Sequence, residues 1–215
     1  MRFSILLLLA AVLAAGETAL PLPKTWVGKK DGTLEGNPAL VQGVPLWRLD
    51  RIFGKIEEGK TWEPLPWSAD KGRWYTPKKT MAGAPFASID GGVLSLQTRS
   101  AYDGGGDNEA DKIIALVFIA PADAKYAVVG SLETDKFEGQ GKQFLFIVRR
   151  DGAKENKRVA ELKKLELPGG KATTALKEGP FPLDANQELC LVVRNDYRQS
   201  ATTVNFRKFN VVAVP

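Results

Sequence analysis

Between Lys112 and Val214 the chain is a succession of short apolar runs, each closed by turn residues. The runs are Lys112 to Ala120, Tyr126 to Glu133, Lys142 to Arg150, Arg158 to Leu167, Lys171 to Lys177, Glu188 to Arg194 and Thr202 to Val214. Pro121-Ala122-Asp123, Asp151-Gly152, Pro168-Gly169-Gly170 and Asn195-Asp196 punctuate them, because Gly accepts positive φ and Pro or Asp presets a turn. Runs of this length and spacing predict antiparallel strands rather than βαβ units or a helical bundle. Phe86 to Ile89 and Val93 to Thr98, joined by Asp90-Gly91-Gly92, predict a hairpin ahead of them. The expected fold is all-β: an antiparallel β-sandwich of jelly-roll type with about eight to nine strands.

Two details refine that picture. In Lys142 to Arg150, Phe144, Phe146 and Val148 share one face while Leu145 and Ile147 make the other apolar, so this strand is expected to be covered on both sides. In Arg158 to Leu167 the apolar positions change parity across Lys163-Lys164, which predicts a bulge or an edge strand.

The N-terminal part is less regular. Met1 to Ser4 carries one positive charge, Ile5 to Leu13 is an apolar run too short to span a bilayer, and Ala14, Ala15 and Gly16 are small. Residues 1–16 are therefore expected to be a signal peptide, cut between Ala14 and Ala19, with an uncleaved anchor as the alternative. The protein is then secreted or periplasmic, with no transmembrane anchor after removal of the leader. Residues 17–44, broken by prolines and glycines, are expected to form an extended arm or tether, and residues 45–215 the sandwich domain. Within the latter, Leu46, Leu49, Ile52 and Phe53 stand at helical spacing behind Pro45, which predicts a short N-terminal helix, with a strand as the close alternative.

The order of Ile113 to Pro121, Tyr126 to Gly130, Phe144 to Arg149, Leu189 to Asn195 and Thr202-Thr203 leading to Phe206 is similar to jelly-roll β-sandwich modules of exported bacterial proteins, akin to non-catalytic carbohydrate-binding modules. The resemblance implies a β-sandwich, glycan binding through exposed aromatic side chains and, in many such modules, a structural calcium ion.

Composition removes several chemistries. Histidine is absent, which excludes Ser-His-Asp and Cys-His catalysis and His-ligated metal sites. The one cysteine, Cys190, lies in the apolar run Leu189 to Val193, forms no intrachain disulfide and is expected in the core. The net charge of +5 suits an anionic envelope or an acidic polysaccharide, but the basic residues are interleaved with acids, so nucleic acid is not expected as a partner.

Three of the five tryptophans fall between Trp62 and Tyr75. Trp62, Trp67, Trp74 and Tyr75 are the candidate glycan-binding residues, with Asp70 and Arg73 beside them to bond hydroxyls, because a flat indole stacks on the C–H face of a sugar. The alternative is that these rings seal the core. Asp103, Asp107, Asn108, Glu109 and Asp111 crowd oxygen ligands into a glycine-rich loop; no cofactor is expected, the loop being read first as solvated, with a structural calcium site as the alternative. No catalytic residue is assigned. The leading functional expectation is an exported, non-catalytic binding domain for a polysaccharide or envelope component. A structural or adhesive assembly protein comes second, and an acidic-polysaccharide lyase using Tyr with Arg third. The oligomeric state is not set by any of these residues.

Overall fold

The computed structural model describes residues 17–28, 36–52, 56–57, 62–75, 86–99, 113–134, 142–151, 158–195 and 201–214. Every regular element among them is a strand: β1 (Thr18–Pro21), β2 (Ala39–Val41), β3 (Val44–Ile52), β4 (Trp62–Pro64), β5 (Trp67–Ser68), β6 (Arg73–Tyr75), β7 (Phe86–Asp90), β8 (Val93–Arg99), β9 (Ile113–Ile119), β10 (Ala124–Thr134), β11 (Gln143–Arg150), β12 (Val159–Leu167), β13 (Ala172–Leu183), β14 (Glu188–Asn195) and β15 (Ala201–Val214). They form two antiparallel sheets. The first has the order β13-β10-β15-β8-β7-β6-β5, with β1 also on β15; the second has β12-β11-β14-β9-β3-β2, with β4 also on β3.

Alternation in the strands explains the layering. Leu94 and Leu96 of β8, Val204 and Phe206 of β15 and Val128 of β10 point from the first sheet into the main core. They meet Leu116 and Phe118 of β9, Leu145 and Ile147 of β11, and Leu189, Leu191 and Val193 of β14. The intervening residues of these last three strands are also apolar. Ala115, Val117, Phe146, Val148, Cys190 and Val192 build a second cluster on the opposite face of the second sheet, closed by Ile52, Ile56 and Trp62. The expected covering of β11 on both sides is thus present, with Trp62 and Ile56 supplying part of the outer cover.

Where β12 changes parity, Ile147 pairs with Lys163 and the next residue, Val148, with Glu161, so Leu162 is bulged out of an edge strand. The β7–β8 hairpin turns through Gly91 and Gly92, both at positive φ (54° and 78°), as a two-residue turn that follows the strand twist requires.

Two expectations are corrected. The segment around Leu46 is strand β3, not a helix, and pairs with β9 from Trp47 to Ile52. Its helix-like spacing arises from a bulge: Ala39 pairs with Trp47 and Leu40 with Pro45, leaving Leu46 unpaired, so that Leu46 and Trp47 both enter the main core. Beyond the bulge Leu49 points inward, while Ile52 joins the outer cluster. Of the arm expected over residues 17–44, the described parts, 17–28 and 36–44, join the sandwich as well. β1 pairs with β15 and β2 with β3, and Leu20, Leu22 and Trp26 are buried in the main core. These segments, with the aromatic stretch, supply the strands beyond the expected eight to nine. The leader at residues 1–16 lies outside the described residues. Among the described residues no helix is long and apolar enough to cross a membrane.

Candidate functional site

The aromatic segment does not form one platform; strand alternation distributes it over three surfaces. Trp67 and Trp74 are cross-strand partners on β5 and β6, facing inward. Trp74 is fully buried and lies edge-to-face between Trp67 (5.1 Å between ring centroids) and Trp26 (6.3 Å). Trp26 donates its indole N–H to the Gly36 carbonyl at 2.6 Å. Trp67, half-buried, is held against the backbone of Gly28, where an added Cβ would stand 2.4 Å from the Trp67 Cβ. These three indoles close the end of the sandwich where β5 and β6 form the edge of the first sheet.

Trp62 lies on the outer face of the second sheet and is 5% exposed. Its ring stacks on the Arg150 guanidinium, 4.5 Å from the centroid. Arg150 is fully buried and belongs to a closed ring of four charges. Arg48 donates to Asp50 through Nε (2.7 Å) and Nη2 (2.9 Å), and to Glu188 (2.7 Å). Arg150 donates to Asp50 at 2.9 Å and to Glu188. Burial alone would lower the Arg48 pKa, but the hydrogen bond to Asp50 and the charges of Asp50 and Glu188 outweigh it and raise the value. The ring is charge-neutral, the condition under which buried ions are tolerated. Beside it, burial drives the Cys190 pKa upward, so the thiol stays protonated and inert.

Tyr75 and Arg73 flank Trp74 on β6 and therefore face the other way, onto the outer surface of the first sheet. Tyr75 pairs with Phe86 of β7, Phe86 with Gln97 of β8, and Gln97 with Thr203 of β15. The four residues form a row across neighbouring strands, about 14 Å long at the usual strand spacing. A parallel row runs through Ser88, Ser95, Asn205 and Glu133. In it Ser95 donates to the Asn205 side chain at 2.6 Å, and Glu133 pairs with Arg207 at 2.6 Å. The Arg73 guanidinium lies over the Phe86 ring at 4.0 Å and near Tyr75 at 5.7 Å. All of these side chains except the exposed Arg207 are half-buried, so aromatic, hydroxyl and amide groups alternate at the surface of a rigid sheet.

Of the six residues expected at a glycan site, only Arg73 and Tyr75 share this face. Asp70 is exposed in the β5–β6 turn, while Trp62, Trp67 and Trp74 pack against the protein itself. Of the residues that complete the face, Phe86 was recognisable from the alternation Phe86-Ala87-Ser88-Ile89, which sends it outward with Ser88, while Gln97, Ser95, Thr203 and Asn205 are placed by the pairing of β8 with β7 and β15. The ring of four charges also has a signal in sequence, since Arg48 and Asp50 occupy alternate positions within the mainly apolar strand β3. The candidate calcium ligands Asp103, Asp107, Asn108, Glu109 and Asp111 lie outside the described residues. Among the described residues no group of three or more ligating side chains is gathered.

Fold and face together define an antiparallel β-sandwich with an aromatic and polar stripe across one outer surface. Carbohydrate-binding modules recur among the solved structures that the chain resembles. It is similar to a CBM4 module at 10% identity and a TM-score of 0.36, over 80% of this chain and 97% of the module. It is also similar to TmCBM61 in complex with β-1,4-galactotriose (11%, TM-score 0.33, 88% and 98%) and to the Stig cyclase Fisc from Fischerella sp. TAU (14%, TM-score 0.35, 92% and 99%). No protein-family model matches the sequence, and no curated protein matches it.

Proposed function

We propose that the protein is an exported, non-catalytic domain that binds a glycan across the outer face of its first sheet, along the row Tyr75, Phe86, Gln97 and Thr203. The observation that carries this reading is the cross-strand pair of half-exposed aromatics, Tyr75 and Phe86, continued on adjacent strands by an amide and a hydroxyl. Aromatic rings offer stacking area to the apolar face of a sugar, and the amide and hydroxyls meet its OH groups. The site stands on paired strands, so little order has to be created on binding. Glu133 on this face is engaged by Arg207, which suits a surface that holds a ligand rather than one that transfers protons.

A glycan array followed by titration calorimetry tests the reading. Tyr75→Ala should weaken binding by about tenfold or more, as expected for a central aromatic contact, while the denaturation midpoint stays close to that of the wild type. An array without any retained glycan, or a Tyr75→Ala protein that binds as tightly as the wild type, overturns it.

A further inference from the structure

Arg73 stands apart from the other arginines whose partners are described above. Arg48 and Arg150 share two carboxylates, Arg51 pairs with Glu63 at 2.9 Å, and Arg207 pairs with Glu133. No carboxylate among the described residues is paired with Arg73. Its cross-strand partner on β5 is the small Ser68, and Asp70 stands exposed in the adjoining turn. The guanidinium is instead held by ring faces, Phe86 at 4.0 Å and Tyr75 at 5.7 Å. Its Nε is shielded from solvent without any acceptor. A half-buried cation with no carboxylate partner among the described residues gains from an anionic acceptor that arrives from outside at its remaining N–H groups. Stacking uses the face of the guanidinium, and with the Nε edge shielded it is the in-plane N–H groups of Nη1 and Nη2 that can meet an oxyanion two at a time.

We propose, building on the glycan-binding reading above, that the ligand is an acidic glycan whose carboxylate or sulfate group is received by Arg73 while the adjoining sugar ring lies against Tyr75. The stack fixes the guanidinium plane in advance, so the charged group is selected by geometry as well as by sign. The overall charge of +5 assists the approach of such a polymer but does not choose the site.

Matched polymers test this. Polygalacturonate is compared with its fully methyl-esterified form, and dextran sulfate with dextran, by retention in native affinity gels at two salt concentrations. The acidic member of at least one pair should bind about tenfold or more tightly than its neutral counterpart, with the difference shrinking as salt rises. Arg73→Gln should abolish that preference. Lys171→Gln, which removes the same charge from an exposed turn, should leave it intact. Arg73→Lys, which keeps the charge but not the planar fork, should lose most of it. If neutral and acidic members are retained equally, or if Lys171→Gln lowers acidic retention as much as Arg73→Gln, the acidic-group inference is overturned and the glycan reading stands. If no polymer of either pair and no arrayed glycan is retained, both fall. The comparison of esterified with free polymer uses the wild-type protein alone, so it holds even if a variant fails to fold.

Discussion

Trp74 and Tyr75 are consecutive residues with opposite orientations, and replacing each by Ala separates the core from the candidate site. Trp74 is fully buried between Trp26 and Trp67. Truncating a buried indole costs about 3 to 5 kcal/mol, and two edge-to-face contacts place it toward the upper part of that range. Against this, the Trp74 indole N–H is buried without a partner, and its removal returns about 1 to 3 kcal/mol of desolvation penalty. Trp74→Ala should therefore destabilise by about 3 kcal/mol, which for a domain of this size lowers Tm by about 10 °C. Trp74→Phe keeps a ring and discards the orphaned donor, so it should cost about 1 kcal/mol or less. Tyr75→Ala, on the outer face, should stay within about 1 kcal/mol of wild type. Urea denaturation followed by circular dichroism, with the slope checked for constancy, measures all three. A Trp74→Ala protein as stable as the wild type, or a Tyr75→Ala protein as damaged as Trp74→Ala, would refute the assignment of the two faces.

Other expectations follow from the second sheet and the core. Arg150→Ala and Glu188→Ala should each cost about 3 to 5 kcal/mol by leaving the buried ring with an uncompensated charge, and the double variant much less than the sum; additive losses would show that the ring is not coupled. The Cys190 thiol should resist a disulfide-exchange reagent at pH 8 until denaturant is added, and rapid modification of the native protein would contradict its burial. Stability should fall in alkali. The native Cys190 pKa lies above its unfolded value near 8.5, so the native state holds that proton more tightly and the contribution present below about pH 8.5 is lost as pH rises. Tyr126, whose hydroxyl donates to the Ala122 carbonyl at 2.7 Å, is pushed up to about 12 by burial and adds a second loss beginning near pH 10. Cys190→Ala should flatten the first part of the curve and leave the second.

The strands from Ile113 onward were legible because each run alternates or is apolar throughout and ends in Gly, Pro, Asn or Asp. The same alternation forecast two covered faces for β11 and, across Lys163-Lys164, the irregularity of β12 that falls at Leu162. β3 was misread because one bulged residue, Leu46, turned a period of two into an apparent period of three. The strands at the N-terminal side were missed for a different reason: β1, β2, β4, β5 and β6 have only two to four residues, too few to show a period. The candidate site was half legible. Trp62, Trp67, Trp74 and Tyr75 are equally aromatic in the sequence, and which of them faces outward depends on the partner strand and sheet each one joins. Those pairings are made over long separations. Arg73 and Tyr75 owe their position to Trp74, whose burial fixes the orientation of its neighbours.

The pairing of β1 with β15 has a consequence for the order of folding. Thr18 stands opposite Ala213, and β15 also carries β8 and β10, so three strands from widely separated parts of the chain wait for one that follows them all in sequence. Such non-local closure gives slow folding, because loop entropy must be lost before the contacts repay it. On the ribosome the first sheet remains open along this seam until residues 201–214 have emerged. During that interval the nascent chain lacks its native closure and stays available to whatever machinery handles unfolded polypeptide.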